Sequence, residues 1–190
     1  TIKIYDKQRP FCLLTSLKDK ETLRKNQIYD YIITVDEIDI RDDNSHNAFC
    51  VKPRVNVIKY TPFSKTLVLD SDMVCVGDTN FIWNYLSNND SPFICWGDDK
   101  EKNWHWGHIK NIEKKLKLKI PVLHGGILFF NLKSKSIHKF YSDCKYALNK
   151  YDQLGFLRNF RNGMTDEVIF AWAMAKNNLK PINYLDCPII

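Results

Sequence analysis

The sequence predicts an α/β fold: a mostly parallel central sheet with helices on both faces. Two observations carry the prediction. Along the first 70 residues, short apolar runs alternate with polar stretches of helical character, the pattern of βαβ units. The runs are also continuous rather than alternating in polarity, as in strands buried on both faces. The chain has 190 residues, 44% hydrophobic and 26% charged. A chain of this length buries roughly 70% of the surface its unfolded form exposes, so a single domain over residues 1–190 is expected.

Phe11-Cys12-Leu13-Leu14-Thr15 is the first buried strand, followed by a charged amphipathic stretch from Lys18 to Asn26. Tyr31-Ile32-Ile33-Thr34-Val35, β-branched and aromatic, is the second strand. After a polar turn near Asp42 to Asn47, Lys52 to Tyr60 is helical, with Pro53 suited to its first turn. Thr66-Leu67-Val68-Leu69 is a strand that runs into Asp70-Ser71-Asp72. Phe81 to Leu86 is a short helix, and Phe93-Ile94-Cys95-Trp96 is a strand. Val122 to Asn131 is a strong strand, interrupted near its start by Gly125 and Gly126. Helices follow at Lys135 to Lys150 and, beyond a turn near Asn162-Gly163, at Thr165 to Lys176. Thr165 is placed to cap that last helix, and Asp166 and Glu167 fall in its first turn, where the helix dipole favours negative charge. Ile182 to Leu185 closes the sheet.

Composition narrows the function classes. Disorder and collagen-like repeats are excluded, and no uncharged apolar run is long enough to cross a membrane. The start, Thr1 to Pro10, is too polar for a signal peptide. The chain opens on Thr1 rather than Met, so it is expected to be a trimmed form or part of something longer. Six cysteines without a CxxC pair, most among apolar neighbours, read as buried free thiols in a reducing compartment, hence a cytoplasmic location. The net charge is +6, and Lys100 to Lys119 supplies most of it, with seven Lys against Glu101 and Glu113. This stretch is either a solvated helix surface or a peripheral docking face for something anionic. It lacks the Arg residues and interleaved aromatics of nucleic-acid binders, so no nucleic-acid partner is expected.

The chemistry concentrates at Asp70-Ser71-Asp72. Two carboxylates at the carboxyl end of an apolar strand stand at the edge where open α/β sheets bind ligands. Such a pair suits a hard divalent ion whose remaining positions a diphosphate fills. It also suits plain capping of backbone amides at a strand-to-turn junction. Trp96, Trp104 and Trp106, with Asp98, Asp99 and His105, form an aromatic and acidic stretch. It reads equally as a sugar-stacking acceptor loop or as a half-buried loop.

Several segments, taken in order, resemble the nucleotide-sugar-dependent glycosyltransferases of the GT-A fold. They are Lys52 with Tyr60 to Asp72, which looks like the family's approach to its DxD motif; His124-Gly125-Gly126-Ile127-Leu128-Phe129-Phe130-Asn131, similar to its glycine-bearing strand; and Thr165-Asp166-Glu167-Val168-Ile169, similar to its D-Q or D-E element. Together they cover about two thirds of the chain, and they are most similar to the group containing glycogenin and the bacterial lipooligosaccharide galactosyltransferases. The Lys- and Asn-rich style is also similar to that of enzymes of large DNA viruses, chloroviruses among them, which would place the protein in a host cytoplasm.

The resemblance implies a Rossmann-like GT-A domain that moves a sugar from a UDP-sugar to a hydroxyl of a glycan or glycoprotein acceptor, with retention. It implies that Asp70 and Asp72 hold Mn²⁺ or Mg²⁺, that Ser71 lies near the ribose and that Lys52 reaches the donor. Gly125 and Gly126 let the backbone approach the sugar or acceptor, with His124 at the pocket edge. Asp166 and Glu167 work at the reacting sugar. Apart from the resemblance, Trp96 and Asp98 are the acceptor-binding candidates if the aromatic stretch is an acceptor loop.

Two features depart from the family pattern. No His follows His138 to act as a third metal ligand, and fewer residues precede the DxD than the family usually has. The first strand is therefore either shortened, with Thr15 and Ser16 near the base, or missing. Two rival readings are a sugar-phosphate nucleotidyltransferase, which would normally show a glycine-rich phosphate loop, and a non-catalytic sugar-binding module of the same fold. No Gly precedes Gly77.

Overall fold

The computed structural model describes residues 2–25, 28–36, 51–98, 103–104, 107–158 and 163–183. A short helix α1 (Ile2–Tyr5) precedes strand β1 (Cys12–Thr15), helix α2 (Leu17–Leu23) and strand β2 (Tyr31–Thr34). The Ser16 hydroxyl caps α2 by accepting from the Asp19 amide at 3.1 Å, which commits it to local structure. The helical stretch expected from Lys52 to Tyr60 is two helices, α3 (Val51–Val55) and α4 (Val57–Tyr60), broken at Asn56. Pro53 sits in the first turn of α3, where its missing amide costs no hydrogen bond.

Strand β3 (Lys65–Leu69), helix α5 (Asn80–Ser87) and strand β4 (Phe93–Asp98) follow. Next come a two-residue ladder of β5 (Asn103–Trp104) with β6 (Gly107–His108) and helix α6 (Ile109–Leu116). Strand β7 (Val122–Asn131), helix α7 (Ile137–Asn149) and helix α8 (Asp166–Lys176) complete the described elements. The polar turn at Asp42 to Asn47, and Tyr184 and Leu185 at the chain's end, lie outside the described residues.

Strands β1 and β2 pair in parallel, while β7 lies between β3 and β4 and runs against both. The reversal has a topological cause. Asp98, the last residue of β4, pairs with Val122, the first of β7, so the chain re-enters the sheet at the edge where it left. Beyond β4, Ile182 adds a parallel bridge to Trp96, fixed by Gly97 N to Ile182 O at 3.0 Å and Ile182 N to Cys95 O at 2.9 Å.

Period-two alternation explains the layering. Phe93 and Cys95 of β4, and Leu128 and Phe130 of β7, face one core, packed under α3, α6, α7 and α8. Ile94, Trp96, Ile127 and Phe129 face the other, under Ile82 and Leu86 of α5. Helix α8 is buried from Val168 to Met174, so it is apolar all round. Within the basic stretch, α6 is a half-submerged helix. Ile109 and Ile112 point into the core and Lys110, Lys114 and Lys115 stand in solvent. No described helix is long and apolar enough to cross a membrane. Cys12, Cys75, Cys95 and Cys144 are free thiols, with Cys95 and Cys144 buried.

Phe93 anchors the larger core. Its ring stacks on Phe140 and Phe170, each with centroids 4.8 Å apart, and meets Phe130 at 5.0 Å. Phe93→Ala removes all three contacts and is expected to cost about 3–5 kcal/mol, read as a lower urea midpoint with an unchanged slope.

Candidate active site

The loop after β3 begins at Asp70, whose amide donates to the Gly126 carbonyl at 3.0 Å. This bond locks the end of β3 to β7 at the two glycines. Opposite β4, the ladder pairs Cys95 with Leu128 and Trp96 with His124, so Gly125, Gly126 and Ile127 bulge out of it. The bulge frees backbone groups that a regular ladder would consume. The glycines then differ in what they permit. At Gly125 a Cβ would fall 3.0 Å from the Glu167 Cγ and 3.1 Å from its Oε1, so the missing side chain is the space Glu167 occupies. At Gly126 a Cβ would meet the Met73 sulfur and an Asp70 oxygen only at ordinary contact distance.

Arg54 of α3 gathers the acids. Its Nη1 donates to Asp70 Oδ1 at 2.5 Å, its Nη2 donates to the Gly125 carbonyl, and its Nε lies 2.8 Å from Asp166 Oδ2. The last pair is an ion pair without hydrogen-bond alignment, and both of its atoms are buried with no other partner. Gly125 in turn donates its amide to Glu167 Oε1 at 2.8 Å. A single guanidinium and one glycine residue therefore hold Asp70, Asp166 and Glu167 at the carboxyl end of β3 and the amino end of α8.

Asp166 is the first residue of α8 and is buried, 9% exposed. Thr165 precedes it in extended conformation, but its hydroxyl makes no capping bond; its amide donates to Tyr151 Oη at 3.0 Å instead. Burial pushes the Asp166 carboxyl up to about 6, with Arg54 opposing the rise and Glu167 and Asp70 adding to it. Asp70 is also raised, first by burial and then by the charges of Asp72 and Glu167, against the pull of Arg54. Like charges thus crowd this corner beyond what one guanidinium neutralises.

A divalent cation suits that excess. Asp70 and the exposed Asp72 offer hard oxygen donors on one turn, and the mutual repulsion recorded at Asp70 is what a cation would relieve. Among the described residues no group of three or more His, Cys, Asp or Glu is arranged to hold a metal. The two aspartates would therefore supply a minority of the ligands and leave the rest to water and a substrate.

The other expected residues divide. His124 is exposed on the strand just before the bulge, and its carbonyl accepts from the Cys95 thiol at 3.4 Å. Ser71 is exposed between the two aspartates. Thr15 stands at the end of β1, its carbonyl bonded to the Val35 amide at 2.9 Å, and Asp98 is half-buried where β4 pairs with Val122. Trp96 corrects the expectation of a sugar-stacking ring. It is 1% exposed, because period two turns it into the core beneath α5. Trp104 is also buried, its indole donating to the Leu123 carbonyl at 3.1 Å. Asp99, His105 and Trp106 lie outside the described residues.

Lys52 is not part of the acid cluster; Arg54 fills that role. The signal was present in the sequence. Val51, Arg54 and Val55 stand at i, i+3 and i+4, one helix face, and the two valines mark that face as buried. Lys52 points elsewhere, toward the end of α7.

No protein-family model matches the sequence, and no curated protein is similar to it. Solved structures do match. The galactosyltransferase LgtC, crystallised with donor and acceptor sugar analogs, aligns with a TM-score of 0.66 at 14% identity, over 96% of this chain and 66% of that one. An active-site mutant of LgtC aligns with a TM-score of 0.65 at 15% identity and the same coverage. This chain adopts the GT-A fold. Mouse xyloside xylosyltransferase 1, in its apo form, shares the GT-A likeness more distantly, with a TM-score of 0.53 at 11% identity over 91% of this chain and 71% of that one. The chain thus spans just under two thirds of the LgtC chain.

The Asp166 environment has a measurable consequence. Its carboxyl ionises at 3.8 in the absence of the fold and near 6 within it. Between these values the folded chain holds the extra proton, so stability falls as pH rises through the window. Urea unfolding from pH 4 to 7 is expected to show this decline, and Asp166→Asn to flatten it.

Proposed function

We propose that the chain is a metal-dependent glycosyltransferase that moves a sugar from a UDP-sugar donor to a hydroxyl of a glycan or protein, with retention of configuration. The observation that carries this reading is the joining of Asp70, Asp166 and the Gly125 carbonyl by Arg54. It links all three segments on which the family resemblance rests, within a GT-A fold.

Each residue has a definable task. Asp70 and Asp72 would hold Mn²⁺ or Mg²⁺, which when bound neutralises the negative charge of the diphosphate leaving group. Arg54 holds Asp70 and Asp166 at fixed positions against their mutual repulsion. The Gly125–Gly126 bulge keeps side chains away from the donor's path and fixes Glu167 through its amide. Asp166, ionised above pH 6, stabilises positive charge on the sugar as the bond from its anomeric carbon to the phosphate oxygen breaks. The acceptor oxygen then bonds to that carbon, and its proton leaves to the departing phosphate or to Glu167. Ser71 lies between the two aspartates, where a small side chain lets the donor pass close to the backbone.

The exposed lysines of α6 provide a basic surface. We assign them to peripheral contact with an anionic surface rather than to the reaction.

The direct test is a thermal-shift screen of nucleotide-sugars with and without Mn²⁺. At a ligand concentration about 100 times Kd, binding adds about 2.7 kcal/mol, so a UDP-sugar should raise Tm only when the metal is present. Asp70→Ala should abolish that rise while the unliganded chain still melts cooperatively. A rise that persists in Asp70→Ala would refute the metal role. Asp166→Asn should lower kcat far more than it weakens UDP binding, and it should remove the loss of wild-type activity as pH falls through about 6.

A further inference from the structure

Helix α8 carries Asp166 and Glu167 in its first turn, yet its own side chains do not fix where it starts. Thr165 stands before the helix in extended conformation, and its hydroxyl makes no capping bond. In a capping box the third helical residue, a Glu or Gln, bonds back to the amide of the capping residue. Here that residue is Val168, which has no polar side-chain atom to offer. Thr165 is 5% exposed, so its amide needs a partner within the protein. The partner comes from outside the helix. Tyr151 Oη accepts from the Thr165 amide at 3.0 Å and donates to the Leu157 carbonyl at 2.6 Å.

Tyr151 is itself held rigidly. Its ring is buried in the larger core and meets the Phe156 ring edge-on, with centroids 5.1 Å apart. Its carbonyl accepts from the Phe156 amide at 3.2 Å, which closes the turn that follows α7. Gly155, at φ 72°, supplies the left-handed residue within that turn. Burial pushes the phenol well above its ordinary range, so it stays neutral and keeps both its proton and its acceptor lone pairs through the neutral range.

The two residues after Thr165 have little room to move. Asp166 Oδ2 lies 2.8 Å from Arg54 Nε, and Glu167 Oε1 accepts from the Gly125 amide at 2.8 Å. A displacement of the helix start by about 1 Å would lengthen both contacts past hydrogen-bond range. The point at which α8 begins therefore decides whether its acids reach their partners on α3 and β7.

We infer that Tyr151 is a positioning residue for the active site: its hydroxyl caps α8 from outside and so sets where Asp166 and Glu167 stand. The consequence for turnover rests on the proposed transferase reading, whereas the positioning itself does not.

The test compares two variants of the whole chain by amide hydrogen exchange and by kinetics. Tyr151→Phe removes one oxygen and keeps the ring, while Phe156→Leu loosens the same packing and keeps both hydrogen bonds. The reporter is the buried Gly125 amide, which belongs to β7 and reads the place of Glu167. Tyr151→Phe should speed its exchange about tenfold, the size expected for loss of one hydrogen bond. The same variant should lower kcat about 10- to 100-fold and leave UDP affinity unchanged. Phe156→Leu should lower the urea midpoint and leave Gly125 exchange and kcat as in the wild type. A Gly125 amide indifferent to Tyr151→Phe, or one that responds equally to Phe156→Leu, would overturn the inference. Should Tyr151→Phe fail to fold, the wild type decides. Its Thr165 and Gly125 amides should open together as urea rises below the unfolding transition, and opening in separate steps would equally overturn it. A Gly125 response in a chain that ignores UDP and Mn²⁺ would leave the positioning standing and remove the transferase reading. Sugar transfer with an unresponsive Gly125 would do the reverse.

Discussion

A single half-buried cation organises this corner of the molecule. The guanidinium of Arg54 bonds Asp70 and the Gly125 carbonyl and pairs with Asp166, three groups that arrive from β3, β7 and α8. Two carboxyls brought this close and partly out of water would otherwise repel, and isolated buried charge is expensive. Arg54 makes their proximity tolerable without cancelling it. Both aspartates are still held above the ordinary carboxylate range, first by burial and then by the neighbouring acids, against the pull of Arg54. An arrangement that is structurally stable yet electrostatically incomplete suits the admission of a cation and an anionic leaving group together.

The glycines make the rest possible. Because β7 bulges away from β4 at Gly125 to Ile127, one strand offers a carbonyl to Arg54, an amide to Glu167 and a second carbonyl to the Asp70 amide. Side chains on a regular ladder would leave these groups paired within the sheet. The core beneath the bulge is rigid, since Trp96, Phe129 and Leu128 are almost wholly buried. Precision at the surface thus depends on packing below it.

Much of this was legible in the sequence. The strand ending in Asp70-Ser71-Asp72, the glycine pair and the helix opening on Asp166-Glu167 all occur where their residue patterns place them, because continuous apolar runs and helix-terminal acids are local signals. What escaped was tertiary. The reversed direction of β7 depends on where the chain re-enters the sheet, and no local pattern encodes that. Trp96 belongs to a strand whose alternate residues serve two different cores, so a sugar-facing ring could not be told from a core ring by composition. Arg54 is readable from the face shared with Val51 and Val55, although Lys52, two positions earlier, is the residue that matches the family's basic position.

In the proposed reaction Asp70 and Asp72 grip a cation that grips a diphosphate. Electron paramagnetic resonance of Mn²⁺ titrated into the protein with UDP tests it most directly. Bound Mn²⁺ is expected to require both aspartates, and UDP labelled with ¹⁷O in its phosphates to broaden the signal of the bound ion. Bound Mn²⁺ that is indifferent to Asp70→Ala and Asp72→Ala, or that shows no broadening with labelled UDP, would contradict the account.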